Sequence, residues 1–204
     1  MRKQKQAASE RGITTVQMDA ATELFFIRHA PVIGDGRMYG RRDVEADCSN
    51  AAAFAACHAR LPRFDHVYCS PALRCVQTLS ALFPGVNPRL VDALWEQDFG
   101  AWEGLPYAEL PDLGKLDGAE LAAFAPENGE SFDDLCARVR PVLNFAKPGR
   151  TLVMAHAGTI RAALSVALGG VPTALRFDIA NLSVTRLSRL SEGVYSINEV
   201  NRCT

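Results

Sequence analysis

The chain has 204 residues, of which 48% are hydrophobic and 22% are charged, and its formal net charge is -1. This length and balance are typical of one globular α/β domain, less readily of two small ones. The near-neutral charge argues against a general affinity for nucleic acid, and no run approaches the ~18 apolar residues of a membrane helix.

Residues 1–22 precede the first apolar run, and their basic side chains are Arg2, Lys3, Lys5 and Arg11. The basic side chains are not followed by the apolar stretch of a secretory leader. We therefore predict a flexible polar tail over residues 1–22 and a single domain over residues 23–204.

The first apolar run, residues 24–27, leads directly into Arg28 and His29. A short run rich in Phe and Ile predicts a strand buried on both faces, as in a parallel sheet. Because ligands bind outside the carboxyl ends of strands in open α/β sheets, Arg28 and His29 are candidates for a site. From this stretch alone, the alternative has equal weight: Arg28 lies on a surface loop and His29 has no function.

A glycine-rich loop over residues 31–47 carries Tyr39 and Arg41, and its arginines could collect an anion or be simply solvated. The pattern then predicts a helix over residues 49–61, a strand over 65–69 and a helix over 70–83. Arg74 lies in the opening turns of that second helix, where a cation is unfavourable. Its position suggests an anionic ligand shared with the helix end.

A third strand is predicted over residues 90–94, and the segment after it mixes tryptophans with the carboxylates of Glu96 and Asp98. Such a segment suits a desolvated proton donor, or it simply covers the core. Residues 106–130 are broken by proline and glycine and leave room for one or two short helices. A capped helix follows over residues 131–145, with a kink or break expected at Pro141.

A second fully apolar strand, residues 151–155, delivers His156 at its carboxyl end, and a helix is predicted over residues 162–168. Two alternating segments, residues 181–190 and 194–201, predict a terminal hairpin. The whole pattern predicts a three-layer α/β/α fold with a mostly parallel central sheet.

Two strands thus present histidines at one edge of the sheet, and arginines accompany both. These arginines would repel a metal ion, and no His-x-x-His spacing occurs, so we expect a phosphate dianion and a histidine nucleophile instead. The six cysteines form no Cys-x-x-Cys pair, which predicts reduced thiols and a cytoplasmic location. They are Cys48, Cys57, Cys69, Cys75, Cys136 and Cys203.

These residues resemble the histidine phosphatase superfamily, whose best-known members are the cofactor-dependent phosphoglycerate mutases. The family's Arg-His-Gly is Arg28-His29-Ala30 here, and its Ser-x-x-x-Arg-x-x-x-Thr is matched by residues 70–78. Its acid motif is matched by residues 94–104, its Gly-Glu-Ser by residues 129–131, and its final His-x-Gly-x-Ile-Arg by residues 156–161. The resemblance covers residues 23–204 and implies a phosphoglycerate mutase-like fold.

The resemblance also implies roles for these residues. His29 would be the nucleophile, and Glu96 the proton donor, with Asp98 as its alternative. The phosphoryl clamp would be Arg28, Arg74, His156 and the backbone amide of Ala157, and further substrate contacts would come from Tyr39 and Arg41. No metal and no cofactor is expected, because the arginines supply the positive charge.

Departures from the mutase pattern favour a phosphatase. Pro31 and its neighbours replace the mutases' Glu-Ser-x-Trp-Asn, and the segment before Gly129 is too short for a mutase lid. The opening motif followed by residues 39–43 resembles alpha-ribazole phosphatases of the cobalamin pathway, which implies alpha-ribazole 5'-phosphate as substrate. A broad sugar-phosphate phosphatase, a mutase-like enzyme and a non-catalytic phosphate-binding protein are the alternatives, and a homodimer is left open.

Overall fold

A six-stranded sheet organises the chain in a computed structural model that describes residues 22–34, 36–144 and 146–203. Its strands are β1 (Thr22–Arg28), β2 (His66–Cys69), β3 (Arg89–Leu90), β4 (Gly149–Ala155), β5 (Val184–Ser191) and β6 (Val194–Arg202). The strand order is β3-β2-β4-β1-β5-β6. The first four strands in that order pair in parallel, whereas β5 and β6 are antiparallel. The sheet is therefore mixed, and the expected parallel arrangement is confirmed for part of it.

Helices cover both faces of this sheet. They are α1 (Ala51–His58), α2 (Leu73–Leu82), α3 (Gly118–Ala123), α4 (Phe132–Asn144), α5 (Ala157–Leu168) and α6 (Val171–Ala174). Side chains alternate along β1, so Leu24 and Phe26 join the core shared with α4 and α5, while Phe25 and Ile27 join the core shared with α1 and α2. No helix among the described residues is both long and apolar enough to cross a membrane.

The sheet register brings three chain segments to one edge. In the parallel pair β1–β4, Arg28 lies opposite Ala155, and in the pair β2–β4, Cys69 lies opposite Met154. His29, Ser70 and His156, which follow these strands directly, therefore leave the sheet side by side.

Several predicted boundaries are wrong at the ends. The predicted strand over residues 90–94 shrinks to β3, because residues 92–94 turn into a 3-10 helix. Helix α1 begins at Ala51 rather than residue 49, since the Asn50 side chain accepts the Ala53 N–H and caps it. Helix α5 begins at Ala157, five residues before the predicted start, because His156 is already its N-cap.

Helix α4 is capped as predicted but continues through Pro141. Ser131 Oγ accepts the Asp134 N–H at 3.1 Å, and Asp134 Oδ2 accepts the Ser131 N–H at 3.0 Å. Pro141 costs a helical hydrogen bond, yet the buried side chains of Val142 and Leu143 keep the last turn packed against the core.

The predicted tail lies outside the described residues, except that Thr22 already pairs with Gly149 as the first residue of β1.

Candidate active site

His29 is held in one ring tautomer at the end of β1. Its Nδ1 donates to the Ala30 carbonyl oxygen at 2.7 Å, so the lone pair is on Nε2. The backbone is fixed as well, because the His29 N–H donates to the Ala155 oxygen at 3.0 Å and Asn181 Nδ2 donates to the His29 oxygen at 2.8 Å. Burial and the nearby Arg74 guanidinium lower the pKa of His29 to about 3. The ring is neutral at physiological pH, as a nucleophile must be.

His156 lies behind this ring and is fully buried. The two ring centroids are 5.1 Å apart in an edge-to-face arrangement. Arg74 Nε donates to His156 Nδ1 at 3.2 Å, so the proton is on Nε2, 2.8 Å from Ser70 Oγ. Burial, then the Arg74 charge, lowers the pKa of His156 well below its usual range.

Arg74 joins this histidine to the glycine-rich loop. Its Nη2 donates to the Gly40 oxygen at 2.6 Å and its Nη1 donates to the Arg42 oxygen at 3.2 Å. Only 1% of Arg74 is exposed, yet the residue lines a cavity that His29 and Glu96 also line. Within the described residues, this buried guanidinium donates only to an imidazole nitrogen and to carbonyl oxygens, so its charge suits an anionic ligand.

Arg28 has a buried donor without a partner in the described residues. Its Nη1 donates to the Ile179 oxygen at 2.5 Å, whereas its Nε is buried and has no hydrogen-bond partner within the described part of the chain. Burial lowers the pKa of Arg28 from its usual value, and Glu96 opposes that shift through its charge. An unsatisfied buried N–H beside a cavity is costly unless a ligand accepts from it.

Glu96 is the carboxylate that the structure brings to the cavity. Its Oε1 accepts the Gln97 N–H at 3.0 Å, and its Oε2 accepts the Gly158 N–H, in the first turn of α5, at 3.1 Å. A Cβ on Gly158 would lie 2.3 Å from Glu96 Oε1, so the approach requires glycine. Asp98 instead accepts the Gly100 N–H at 2.9 Å and does not line the cavity.

The cavity between these groups has a volume of about 300 Å³, which suits a small ligand. Charged and polar side chains line it, namely Arg28, His29, Arg74, Glu96, Gln97 and Arg161. Aromatic and aliphatic side chains also line it, including Tyr39, Phe99, Tyr107 and Phe132. Ala157 and Gly158 add the N-terminus of α5, where backbone N–H groups favour an anion.

The structure separates the residues predicted for the site into two groups. Those that line the cavity are Arg28, His29, Tyr39, Arg74, Glu96 and Ala157. His156 is not among the lining residues and contacts Arg74 from behind. Arg41 is also absent from the lining, since its guanidinium lies 5.6 Å from the Trp95 ring centroid and 3.9 Å from Glu130.

Sequence reasoning assigned no site role to Arg138, Arg161 or Ser70. Arg161 and Ser70 stand inside recognised motifs, so the motif matches could have found them. Arg138 has no such local signal, because its partners Ala93, Trp95 and Glu96 are more than forty residues away. Within residues 22–34, 36–144 and 146–203, no group of three or more His, Cys, Asp or Glu residues could hold a metal ion.

Comparison with known proteins identifies relatives of this chain. A family model described as the histidine phosphatase superfamily (branch 1) matches residues 24–202. The bifunctional protein Rv2228c of Mycobacterium tuberculosis is 31% identical over 199 residues, which is 89% of this chain and 54% of that protein. The glucosyl-3-phosphoglycerate phosphatase of Mycobacterium tuberculosis is 29% identical over 192 residues, 82% of this chain and 86% of that protein.

A solved structure agrees with these sequence matches. Mycobacterial glucosyl-3-phosphoglycerate phosphatase, in complex with VO3, is similar with a TM-score of 0.75 and 26% identity over 88% of this chain and 98% of that chain. The chain spans about half the length of the first curated relatives, 54% of each.

Proposed function

The chain belongs to the histidine phosphatase superfamily (branch 1), and from this membership we propose that it hydrolyses small phosphate esters through a phosphohistidine at His29. The family and the phosphatase-named relatives make the described domain a phosphoric monoester hydrolase. The supporting observation is a neutral, buried histidine that has its lone pair on Nε2 and lines a cavity together with arginines and one carboxylate.

In the first step, His29 Nε2 attacks phosphorus and the bond from phosphorus to the ester oxygen breaks. Glu96 gives its proton to the leaving alcohol. Arg28, Arg74 and the Ala157 N–H at the start of α5 balance the charge on the phosphoryl oxygens, which is the main contribution a protein makes to phosphoryl transfer. The His29 Nδ1–H keeps its hydrogen bond to the Ala30 oxygen in both steps.

In the second step, Glu96 takes a proton from water while that water's oxygen attacks phosphorus. The N–P bond breaks, inorganic phosphate leaves, and Glu96 is protonated for the next cycle. In this scheme His156 holds Arg74 in place, and its own ring makes no phosphoryl contact.

For the substrate, we propose an uncharged or sugar-like alcohol esterified to phosphate. The cavity lining includes the aromatic rings of Tyr39, Phe99 and Tyr107, which suit stacking on a ring of the substrate. One relative is named for glucosyl-3-phosphoglycerate, a phosphate ester whose alcohol part carries a glucosyl ring. Alpha-ribazole 5'-phosphate is the second candidate, which is supported by the motif over residues 39–43.

All six cysteines are free thiols, which supports a reducing cytoplasm as the site of action.

Rapid-quench labelling with p-nitrophenyl [³²P]phosphate tests the mechanism. Glu96→Gln should release p-nitrophenol in a burst of one equivalent and retain acid-labile label, because the nitrophenolate leaves without a proton while hydrolysis of the phosphohistidine lacks its base. His29→Asn should give no label. Label that persists in His29→Asn would contradict the assignment of the nucleophile.

The alternative from another class is a non-catalytic phosphate-binding protein. It predicts saturable phosphate binding with no turnover of any ester and no label in the wild-type chain.

A panel of phosphate esters that includes alpha-ribazole 5'-phosphate and sugar phosphates would rank the substrates of the enzyme by kcat/KM.

A further inference from the structure

The proton donor Glu96 lies in a segment without regular secondary structure. It falls between the 3-10 turns Asp92–Leu94 and Gly100–Trp102, so no helix or strand fixes its backbone. A proton donor works only within hydrogen-bond reach of the leaving oxygen, and displacement by about 1 Å can cost about 100-fold in rate. Some other part of the fold must therefore hold this segment.

Arg138, on α4, supplies that support. Its Nη1 donates to the Ala93 and Trp95 carbonyl oxygens, both at 2.8 Å, and its Nη2 donates to the Glu96 oxygen at 2.8 Å. Thr159 Oγ1 reaches the same segment through the Leu94 and Trp95 oxygens at 3.3 and 3.2 Å. Consecutive carbonyls leading to the proton donor are thus bound by side chains.

Glu130 completes the arrangement. It accepts from Arg138 Nε at 2.9 Å and lies 2.7 Å from Nη2, so the guanidinium uses each of its five N–H donors. The side chains of both residues are mostly buried, at 21% and 16% exposure. Two further hydrogen bonds connect the same two segments: the Glu130 N–H donates to the Asp98 oxygen at 2.9 Å, and the Gln97 side-chain Nε2 donates to the Glu130 oxygen at 2.9 Å.

We propose that Arg138, paired with Glu130, is the positioning residue that holds Glu96 within reach of the leaving oxygen. Lysine could not replace it, since an ammonium has three donors at one point and no planar fork. The inference rests on the proposed function, and it assigns the pair to the proton-transfer step rather than to stability alone.

The test compares phenyl phosphate with 2,4-dinitrophenyl phosphate, which share a ring and differ in whether the leaving oxygen needs a proton. The parameter is kcat/KM, because it covers steps up to phosphohistidine formation and excludes its hydrolysis. Arg138→Gln should lower kcat/KM about 100-fold on phenyl phosphate and less than about threefold on the dinitrophenyl ester. Arg140→Gln, on the exposed face of the same helix, is the matched control and should change neither value.

Glu96→Gln gives the reference pattern, and Glu130→Gln provides a second variant should Arg138→Gln not fold. Glu130→Gln should show the same selective loss at about 10-fold. An equal loss on both esters, or no loss, in a folded variant overturns the inference while the function stands. Failure of the wild-type chain to hydrolyse either ester would instead remove the proposed function.

Discussion

The chemistry of this site depends on two neutral histidines that the fold holds in opposite ring tautomers. His29 donates through Nδ1 and has its lone pair on Nε2, whereas His156 accepts from Arg74 at Nδ1 and keeps its proton on Nε2. Burial next to Arg74 disfavours protonation of both rings. The first ring is therefore available as a nucleophile, and the second serves as a support for the arginine.

The tautomer of His29 can be observed directly. Long-range ¹H–¹⁵N spectra of the imidazole rings should show His29 protonated at Nδ1 and unprotonated at Nε2 from pH 8 to pH 5, because its lowered pKa of about 3 keeps the ring neutral over this range. Titration of that ring near pH 6.5 would show that His29 is not held as a buried, neutral imidazole.

Gly158 is a second residue whose role follows from contact distances. An alanine Cβ there would lie 2.3 Å from Glu96 Oε1 and 3.1 Å from Leu135 Cδ2, so Gly158→Ala should displace the carboxylate. We expect kcat/KM on phenyl phosphate to fall on the order of 100-fold. Gly170→Ala, where the nearest atom is 3.8 Å away, should retain the wild-type rate in the same assay.

At the scale of elements, residues 36–43 of the glycine-rich loop are held by side chains from other parts of the chain. Glu103 accepts the backbone N–H groups of Gly40, Arg41 and Arg42 at distances of 2.8 to 3.1 Å. Arg74 binds the carbonyls of the same turn. One carboxylate and one guanidinium thus fix a loop that has no regular structure, and Tyr39 reaches the cavity from it.

Glu103→Ala should loosen this loop. Backbone N–H groups left without a partner cost about 1–3 kcal/mol of unfolding free energy in total. Because Tyr39 and Arg74 would lose their fixed geometry, KM should rise more than kcat falls. Urea denaturation and steady-state kinetics measure both effects, with Glu109→Gln on the exposed face of a neighbouring turn as the control. Wild-type stability in Glu103→Ala would show that the loop does not depend on this carboxylate.

On the scale of the whole molecule, catalysis and stability are coupled through the buried histidines. In the unfolded chain each ring takes up a proton when the pH falls below about 6.5, the usual pKa of histidine. In the folded chain both rings stay neutral to a far lower pH. Because the pKa of each ring is lower in the folded chain than in the unfolded chain, the neutral rings contribute fully to stability above pH 6.5. This contribution is lost as the pH falls below 6.5.

This coupling predicts the pH dependence of folding. Between pH 7 and pH 5 the free energy of unfolding should fall with a slope that approaches about 2.7 kcal/mol per pH unit for two protons. His29→Asn should reduce that slope by roughly half, because one titrating ring is gone. Urea denaturation at several pH values measures the slope, and a flat profile between pH 7 and pH 5 would show that the rings are not buried as described.

Local pattern was sufficient for much of the fold and part of the site. The apolar runs that end in His29 and His156 identified two strands, which the structure pairs in parallel, and the spacing from Ser131 to Asp134 identified the cap of α4. These features depend on residues close together in the chain, where periodicity and capping act. The motif spacing also identified Arg28, Arg74 and Glu96, which do line the cavity.

Tertiary contacts decided which charged groups face the cavity. Arg41 turns to Trp95 and Glu130, His156 lies behind Arg74, and Asp98 caps Gly100, whereas Arg161 lines the cavity wall. Arg138 reaches carbonyls 42 to 45 residues away. A long side chain can point either way from a given position, and only the sheet register and the packing of α4 and α5 against it determine which partners are within reach.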